Sequence, residues 1–233
     1  GFDVDPNVLY FASNVNRDTY GLYALDLRTK LRTALAVEEV GLDMAGTDDA
    51  FNDSILVFDH DHRLVGMRVG GPRGGTRWFD PALGRIQGGL DRLFEGRNAE
   101  ILDWDAARRR TLALVYGPSD PGRYYIYENG ETPRLMEIVH RTTDLPAERL
   151  SRSDSFAFDT TGGVHLTGTI TLPRRSRISP PPLVVLCRDI PGRRARAEFN
   201  RDVQAVAAMG FAVATVNYRG SAGFGAHHRD AVK

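Results

Sequence analysis

Carboxylate and imidazole side chains stand side by side in the sequence, and both kinds of group can ligate a metal ion. Residues 59–62 read Asp-His-Asp-His, and in a strand His60 and His62 would share one face. The segment lies between two apolar runs, however, where polar turns are expected, so we interpret it as a solvated turn. His227 and His228 are adjacent and would diverge in a helix or a strand. We therefore predict no metal site and no cofactor.

Four other side chains that could do chemistry have an ordinary structural explanation. His165 lies in a predicted strand, and we expect it to be a partly buried structural histidine. We expect Trp78 and Trp104 to pack against other residues rather than to stack on a ligand. Cys187 is the single cysteine, so it cannot form an intramolecular disulfide or contribute to a Cys-ligated structural zinc site.

Three arginines, Arg193, Arg194 and Arg196, form a basic cluster after a predicted buried strand. The favoured interpretation is a solvated surface. The alternative is recognition of a carboxylate, such as the terminus of a peptide, because a guanidinium binds a carboxylate through two parallel hydrogen bonds.

The composition of the 233 residues is that of a globular protein, with 42% hydrophobic and 26% charged residues. Thirty basic residues balance thirty acidic ones, so the chain has no electrostatic footprint for nucleic acid or an anionic membrane. No apolar run approaches the ~20 residues that cross a bilayer. We therefore expect neither nucleic acid nor a membrane as a partner.

Strand-length apolar runs separated by turns recur through the first two-thirds of the chain. The 24 glycines and 12 prolines also favour many short strands over a helical bundle. Groups of about four strands, repeating at roughly 40–50 residues, predict blades of a β-propeller. The runs are residues 8–12, 20–27, 31–37, 54–58, 63–69, 101–105, 111–116 and 123–127.

One helix is predicted within this β region. Asp80 and Pro81 form a helix start, with an N-cap followed by proline at the first helical position. The predicted buried face has helical spacing and contains Leu83, Ile86, Leu90, Leu93 and Phe94.

The pattern changes after residue 145. A hairpin is predicted over 155–172, and an apolar run at 183–187 predicts a strand buried on both faces. A helix over 196–209, closed by a glycine, and a strand over 211–216 complete a β-α-β unit. Two strands and one helix leave apolar faces uncovered, so we expect the natural polypeptide to continue beyond Lys233.

Two segments of this region resemble the prolyl oligopeptidase family of serine peptidases (family S9), including its acylaminoacyl-peptidase-like members. Residues 162–173 are similar to the beginning of that family's hydrolase domain, including Gly168 and Pro173. Residues 210–225, GFAVATVNYRGSAGFG, are close to the family pattern G-[FY]-x-V-x-x-x-N-Y-R-G-S-x-G-[FY]-G. The resemblance is strong over 160–228 and looser over 1–150.

The resemblance implies a mainly β chain with a C-terminal α/β part. Residues 1–145 would be partial β-propeller blades, and residues 146–233 the first part of an incomplete α/β-hydrolase domain. The implied reaction is hydrolysis of short peptides or acylated amino acids through an acyl-enzyme. The family nucleophile lies in G-x-S-x-G, which this chain lacks, and Ser221 has the wrong spacing. We therefore expect the Ser, Asp and His of the triad to follow Lys233.

One catalytic element of the family would lie inside the chain. The family's H-G-G-P segment, whose backbone N–H helps to bind the oxyanion, corresponds here to Arg188, Asp189, Ile190 and Pro191. The N–H of Ile190 is the candidate donor. An inward-pointing Asp189 carboxylate would oppose the developing negative charge, so an altered oxyanion hole, a weakened or inactive hydrolase and a different donor all stay open.

The competing hypothesis is a propeller-like binding module or pseudo-peptidase without hydrolytic activity. An esterase on the same scaffold is a third alternative. The sequence does not determine the substrate preference or the oligomeric state. It favours the cytoplasm over the periplasm without deciding between them.

Overall fold

The computed structural model describes residues 1–36, 42–43, 55–69, 75–142, 145–187 and 194–231. Within these residues the chain contains fourteen β-strands and three α-helices. It divides into two compact units. Unit one comprises residues 1–84, 190–194 and 219–233, and unit two comprises 85–189 and 195–218.

Unit one contains two three-stranded antiparallel meanders. The first is β1 (Val8–Ser13), β2 (Gly21–Asp26) and β3 (Arg32–Ala36), as the first three apolar runs predict. The second is β4 (Leu56–Phe58), β5 (Leu64–Arg68) and β6 (Thr76–Trp78). Val37 and Ser54, at the ends of two predicted strands, lie outside the described residues. β6 was not predicted from the sequence, because three residues are too few to show a period.

The core of unit one joins these two sheets. Leu22 of β2, Ala36 of β3 and Met67 of β5 are buried in one cluster. Tyr10, Leu64 and Phe79 are among the half-buried side chains that pack against it. Burial of apolar area of this kind is the main stabilising contribution that such short strands have available.

Helix α1 (Pro81–Leu93) begins as predicted, because the Asp80 carboxylate accepts hydrogen bonds from the Ala82 and Leu83 N–H groups at 2.8 and 3.1 Å. Leu83, Ile86 and Leu90 are buried. The prediction for Leu93 was wrong, since it is 62% exposed in the last turn, at the edge of the apolar face. No helix among the described residues is long and apolar enough to cross a membrane.

Unit two contains an antiparallel meander of four strands. They are β7 (Asn98–Trp104), β8 (Arg110–Gly117), β9 (Asp120–Glu128) and β10 (Arg134–His140), in that spatial order. β10 was not predicted from the sequence. The predicted strands at 111–116 and 123–127 leave six residues for the turn, which is too many, because Gly117 pairs with Asp120 and only two residues lie between them.

The other sheet of unit two is mixed. After a 3₁₀ turn (Ala147–Arg149), its strands are β11 (Ser153–Asp159), β12 (His165–Thr171), β13 (Leu183–Leu186) and β14 (Ala212–Asn217), in the spatial order β11-β12-β14-β13. β11 and β12 form the predicted hairpin. β13 and β14 are parallel neighbours joined through α2 (Arg201–Ala208), which confirms the predicted β-α-β unit.

Helix α2 starts later than predicted, at residue 201 rather than 196. The side chain of Asn200 accepts hydrogen bonds from the Asp202 and Val203 N–H groups at 2.9 and 3.1 Å, and it therefore ends the extended segment and begins the helix. The helix then packs Val203 and Ala207 against β14 in an apolar cluster.

Strand β13 differs from its prediction. Leu183 and Val185 are 56% and 53% exposed, so burial on both faces was wrong for this structure. Leu186 contributes to the α2 cluster instead. One face of β13 is therefore covered by α2, and the other face is exposed. The last helix, α3 (Gly225–Asp230), belongs to unit one.

Strands account for more of the described chain than helices, which confirms the mainly β character. The division at residues 145 and 146, the propeller blades and the incomplete α/β-hydrolase domain stay predictions.

Candidate functional site

The predicted oxyanion segment, Arg188 to Pro191, lies outside the described residues. The roles of Arg188, Asp189 and Ile190 therefore stay predictions. The structure describes the chain on both sides of residues 188–193, and the flanking residues are held as follows.

Asn217, the last residue of β14, holds the chain that follows this segment. Its side chain is buried, with the residue only 4% exposed. Its Oδ1 accepts a hydrogen bond from the Ala195 N–H at 2.6 Å. Its Nδ2 donates to the Ala195 carbonyl at 3.4 Å and to Thr167 Oγ1 at 3.1 Å. One amide side chain thus satisfies both backbone groups of Ala195, as a neighbouring strand would.

The preceding chain is held by the same strand. Leu186, at the end of β13, pairs with Thr215 of β14, two residues before Asn217. At a rise of ~3.3 Å per residue, these two anchor positions lie about 7 Å apart on one strand. β14 therefore holds the chain on both sides of the candidate segment.

A second asparagine also contacts the chain that follows residues 188–193. Asn98, the first residue of β7, donates from Nδ2 to the Ala197 carbonyl at 2.8 Å. The antiparallel sheet thus also helps to hold residues 195–197.

Gln204 of α2 forms a further connection inside unit two. Its Oε1 accepts from the Ser151 N–H at 2.8 Å, and its Nε2 donates to the carbonyls of Ser151 and Pro118 at 3.0 and 3.1 Å. Gln204 and Ser151 are 7% and 3% exposed. The helix is therefore bonded both to the β8–β9 turn and to the chain that leads into β11.

The glycine-rich segment after β14 is organised in unit one by two aspartates. Asp43 accepts from the Tyr20 and Gly225 N–H groups at 2.8 and 3.3 Å, and its own N–H donates to Gly223 at 3.0 Å. The Asp18 carboxylate accepts from the His227 N–H at 2.6 Å. Gly225 has φ +86°, and a Cβ there would clash with the Asp18 carboxylate, so the motif requires glycine at this position.

Ser221 lies in this segment and is 1% exposed. Its hydroxyl has no hydrogen-bond partner within the described residues. A nucleophilic serine needs a neighbouring base and access to substrate, and the described structure provides neither here. The position fits the expectation that Ser221 does no chemistry.

His60, His62 and His165 lie in turn and hairpin positions. Residues 59–62 form the expected turn, in which the Asp59 carboxylate accepts from the Asp61 and Arg63 N–H groups at 3.0 and 2.9 Å. The expectation for His165 was wrong. It is exposed and bonds to Asp159 at 2.8 Å, because the end of the β11–β12 hairpin projects away from the core. Within the described part of the chain, no group of three or more His, Cys, Asp and Glu side chains could hold a metal.

The arginine cluster is not a uniform surface. Arg194 is 3% exposed, so the surface interpretation was wrong for this residue, while Arg196 is half-buried and Arg193 lies outside the described residues. Ala195, next in the chain, is itself buried, and this requires the backbone to enter the interior at that point.

A polar cluster on β9 and β10 was not predicted from the sequence. Glu137 accepts from the Tyr125 hydroxyl at 3.1 Å, from Arg123 at 3.3 Å and pairs with His140 at 2.8 Å. Desolvation raises the pKa of Glu137, but the hydrogen bonds from Tyr125, Arg123 and His140 outweigh it, so the pKa lies below its ordinary value. The arrangement is that of a satisfied carboxylate rather than of a catalytic acid.

The chain is similar in sequence to a known peptidase. No family model matches the chain. Over 236 residues it is 26% identical to dipeptidyl aminopeptidase BIII of Pseudoxanthomonas mexicana, and the match covers 97% of this chain and 32% of that protein. The resemblance to the prolyl oligopeptidase family is confirmed.

Solved structures agree in fold. A puromycin-hydrolyzing peptidase of Mycobacterium tuberculosis matches with a TM-score of 0.68 and 20% identity, over 97% of this chain and 34% of that one. A puromycin hydrolase matches with a TM-score of 0.61 and 17% identity, over 100% and 34% of the two chains. A mutant of puromycin hydrolase complexed with PGG gives the same TM-score at 19% identity. This chain thus spans about a third of the length of these peptidases.

Asn217 and Gly225 both lie in residues 210–225, the segment that carries the strongest resemblance to the prolyl oligopeptidase family. In this structure Asn217 hydrogen-bonds to the backbone of Ala195, and Gly225 leaves room for the Asp18 carboxylate. A signal for Asn217 was present in the sequence as a polar amide directly after an apolar strand. The sequence had no signal for its partner, Ala195.

Proposed function

We propose that this chain is part of a serine peptidase that hydrolyses short peptides or acylated amino acids through an acyl-enzyme. The observation that carries the proposal is the 26% identity with a dipeptidyl aminopeptidase across 97% of the chain. The substrates follow from the resemblance, and no metal or cofactor enters the reaction.

The chemistry divides between this chain and residues beyond it. The nucleophilic serine, its histidine base and the aspartate are supplied after Lys233, because no G-x-S-x-G motif occurs in the 233 residues. The serine oxygen attacks the scissile carbonyl carbon while its proton passes to the histidine, and the carbonyl oxygen becomes negatively charged. The amine then leaves with that proton, and water releases the acyl group from the serine. This chain supplies the backbone N–H of Ile190 toward that oxygen. Loss of one such donor typically lowers kcat by about 10²–10³-fold.

The architecture in this proposal has two parts. The antiparallel sheet β7–β10 is a propeller blade, and β11–β14 with α2 begin an α/β-hydrolase sheet. The parallel pair β13 and β14, joined by a helix, supports the second assignment. The exposed side chains of Leu183 and Val185 support continuation of the layer beyond this segment.

A serine-directed phosphonate label tests the proposed function. We expect the complete gene product to be labelled with about one phosphonate per chain, because an activated serine displaces the leaving group from phosphorus. The 233-residue segment alone should not be labelled. Mass spectrometry of the intact protein measures both outcomes.

Ser221→Ala provides the matched control, since this serine is buried and placed outside the chemistry. The complete gene product with this substitution should be labelled as fully as the wild type. Labelling of the 233-residue segment would refute the assignment of the nucleophile to residues after Lys233.

A binding module or pseudo-peptidase is the second candidate. The observation that favours it is Asp189, which places a carboxylate in the segment where the family has glycine and where negative charge develops. A complete gene product that takes up no label and cleaves no peptide amide would support this candidate against the peptidase.

A further inference from the structure

Three arginines lie close together in the loop between β12 and β13, residues 173–182, which we call the arginine loop. Arg174, Arg175 and Arg177 are all exposed. No carboxylate in the described part of the chain forms an ion pair with any of the three. The loop sequence, PRRSRISPPP, contains no acidic residue of its own. Three positive charges therefore stand within four residues of chain without a compensating group.

The other arginine-rich turn of unit two is compensated. Residues 108–110 are also three arginines, and they lie between β7 and β8. Arg110 forms an ion pair with Glu128 at 3.1 Å. The Asp105 carboxylate accepts hydrogen bonds from the Arg109 and Arg110 N–H groups at 2.6 and 3.0 Å. Clustered arginines in this unit thus have acidic partners in one turn and lack them in the arginine loop.

The arginine loop is held in place by its neighbours. A Cβ at Gly210 would lie 3.4 Å from the Arg175 carbonyl oxygen, so the loop lies against the chain that follows α2. The Ser176 hydroxyl accepts a hydrogen bond from the Ile178 N–H at 3.3 Å. Three consecutive prolines, residues 180–182, restrict the backbone before β13. A loop that is already ordered loses less conformational entropy when it binds a partner.

Two apolar side chains are exposed beside these arginines. Ile178 belongs to the loop and is 63% exposed, and Met209, directly before Gly210, is 68% exposed. Methionine adapts its shape to different apolar surfaces because its side chain is flexible. The surface therefore offers guanidinium groups for anions and two apolar side chains for contact.

We propose that Arg174, Arg175 and Arg177, with Ile178 and Met209, form a docking surface for an acidic segment of a partner protein. Each guanidinium can bind a carboxylate through two parallel hydrogen bonds, and apolar side chains of the partner would cover the isoleucine and the methionine. This inference does not depend on the proposed function.

The charge of the surface favours a protein partner over the other anionic ones. Recognition of anionic lipids by basic residues typically uses roughly four to eight of them, and the arginine loop has three. Nucleic-acid binding is typical of strongly basic domains, whereas this chain has equal numbers of basic and acidic residues. Three arginines are sufficient for a short segment that carries a few carboxylates.

The binding experiment uses the complete gene product and the fluorescein-labelled peptide EELEELEE, with fluorescence anisotropy at low ionic strength. We expect the wild type to bind this peptide at least about tenfold more tightly than QQLQQLQQ. Replacing Arg174, Arg175 and Arg177 together by glutamine should raise the Kd for EELEELEE about tenfold, because each exposed ion pair changes affinity by roughly 1.5- to 5-fold. The peptide EEGEEGEE should bind about threefold more weakly than EELEELEE, because it lacks the apolar side chains.

The matched control replaces Arg108, Arg109 and Arg110 together by glutamine. It changes the net charge by the same amount, at the turn that has acidic partners. We expect its Kd for EELEELEE to stay within about twofold of the wild-type value. Equal effects of the two triple substitutions would refute a specific surface at the arginine loop, and so would equal binding of the glutamate and glutamine peptides.

Two further measurements test the kind of partner. Replacing the three loop arginines by lysine keeps their charge but removes the planar guanidinium, and it should weaken peptide binding about threefold. An unchanged Kd would refute recognition of carboxylates by the guanidinium groups. Cosedimentation with phosphatidylcholine vesicles that contain about 30% phosphatidylserine should be negligible. Sedimentation with these vesicles by a protein that does not bind EELEELEE would refute the protein partner in favour of a membrane.

Discussion

Two edge strands of unit two present their apolar side chains in different settings. β10 carries Arg134, Glu137 and His140 among its seven residues, and its register with β9 shifts after Glu137. β13 reads Leu-Val-Val-Leu, and it pairs with β14 in continuous register. Val139 and Val185 are nonetheless similarly exposed, at 50% and 53%.

The difference is one of edge protection. Charged side chains and bulges are the features by which natural sheets prevent further strands from pairing with an edge. β10 has charged side chains and a bulge, whereas β13 has neither feature, although Val185 of β13 is as exposed as Val139 of β10. β10 thus has the features of a protected edge, and the contrast supports our proposal that β13 is covered in the complete protein.

The largest expected effect comes from placing a charge on β13. In the complete gene product, Val185→Lys should lower the free energy of unfolding by about 3 kcal/mol, because full burial of a valine contributes about 1.5–3 kcal/mol and the ammonium group would have to be desolvated. Urea denaturation followed by circular dichroism measures this loss.

Val139→Lys on β10 is the matched control, with an expected change within about 0.5 kcal/mol, as for ordinary surface substitutions. Equal and small effects at both positions would mean that β13 is an exposed edge in the complete protein as well. The inferred difference between the two edge strands would then be wrong.

A smaller loss of stability is expected when the hydrogen bonds of Gln204 to Ser151 and Pro118 are removed. Gln204→Met preserves the size of the side chain but leaves the buried Ser151 N–H without its acceptor. An unpaired buried donor costs about 1–3 kcal/mol, so we expect a loss of about 2 kcal/mol in the free energy of unfolding, measured by urea denaturation. Ser119→Ala, which removes only the 2.8 Å bond to the Ser151 carbonyl, should cost less.

If Gln204→Met and Ser119→Ala proved equally mild, the Gln204 amide would not be an important link between the sheets. The association of the two sheets in unit two would then depend on their other contacts, which include the 2.8 Å hydrogen bond from Asn98 to the Ala197 carbonyl.

The smallest effect concerns the polar edge of β10. The folded protein lowers the pKa of Glu137 below its ordinary value of 4.5, so its contribution to stability is fully present above that pH and is lost as the pH falls through the folded-state pKa. Glu137→Gln should therefore reduce the urea midpoint slightly at neutral pH and make its decline below pH 4.5 shallower. Midpoints measured from pH 3 to 7 test this, and parallel curves for the two proteins would contradict it.

Much of the fold could be predicted because its signals are local. β1 to β3 follow apolar runs that short turns separate, and α1 shows both a cap at Asp80 and an apolar stripe. The β-α-β unit followed from two apolar runs and a helix between them. Each of these patterns depends on residues within one or two turns of the chain, where spacing alone determines which side chains share a face.

Other features depended on contacts that have no local signal. The helical pattern extended α2 back to residue 196, but Asn200 caps the helix and sets its start. The apolar composition of β13 indicated burial on both faces, whereas the described structure covers only one. β10 alternates too weakly to be recognised, because charged and apolar residues share its exposed positions.

The sequence by itself determined the family resemblance, the absence of a G-x-S-x-G motif and most of the strands, since each is a property of residue types at short spacing. Only the tertiary structure decided that Asn217 holds Ala195, that Gln204 joins Ser151 to Pro118 and that Arg194 is buried. These residues come together from positions 22 to 86 residues apart along the chain. A buried amide or carbonyl must form a hydrogen bond, and its partner is the group that the packing of the sheets and the helix places beside it. The sequence alone does not specify that partner, because the two residues are far apart in the chain.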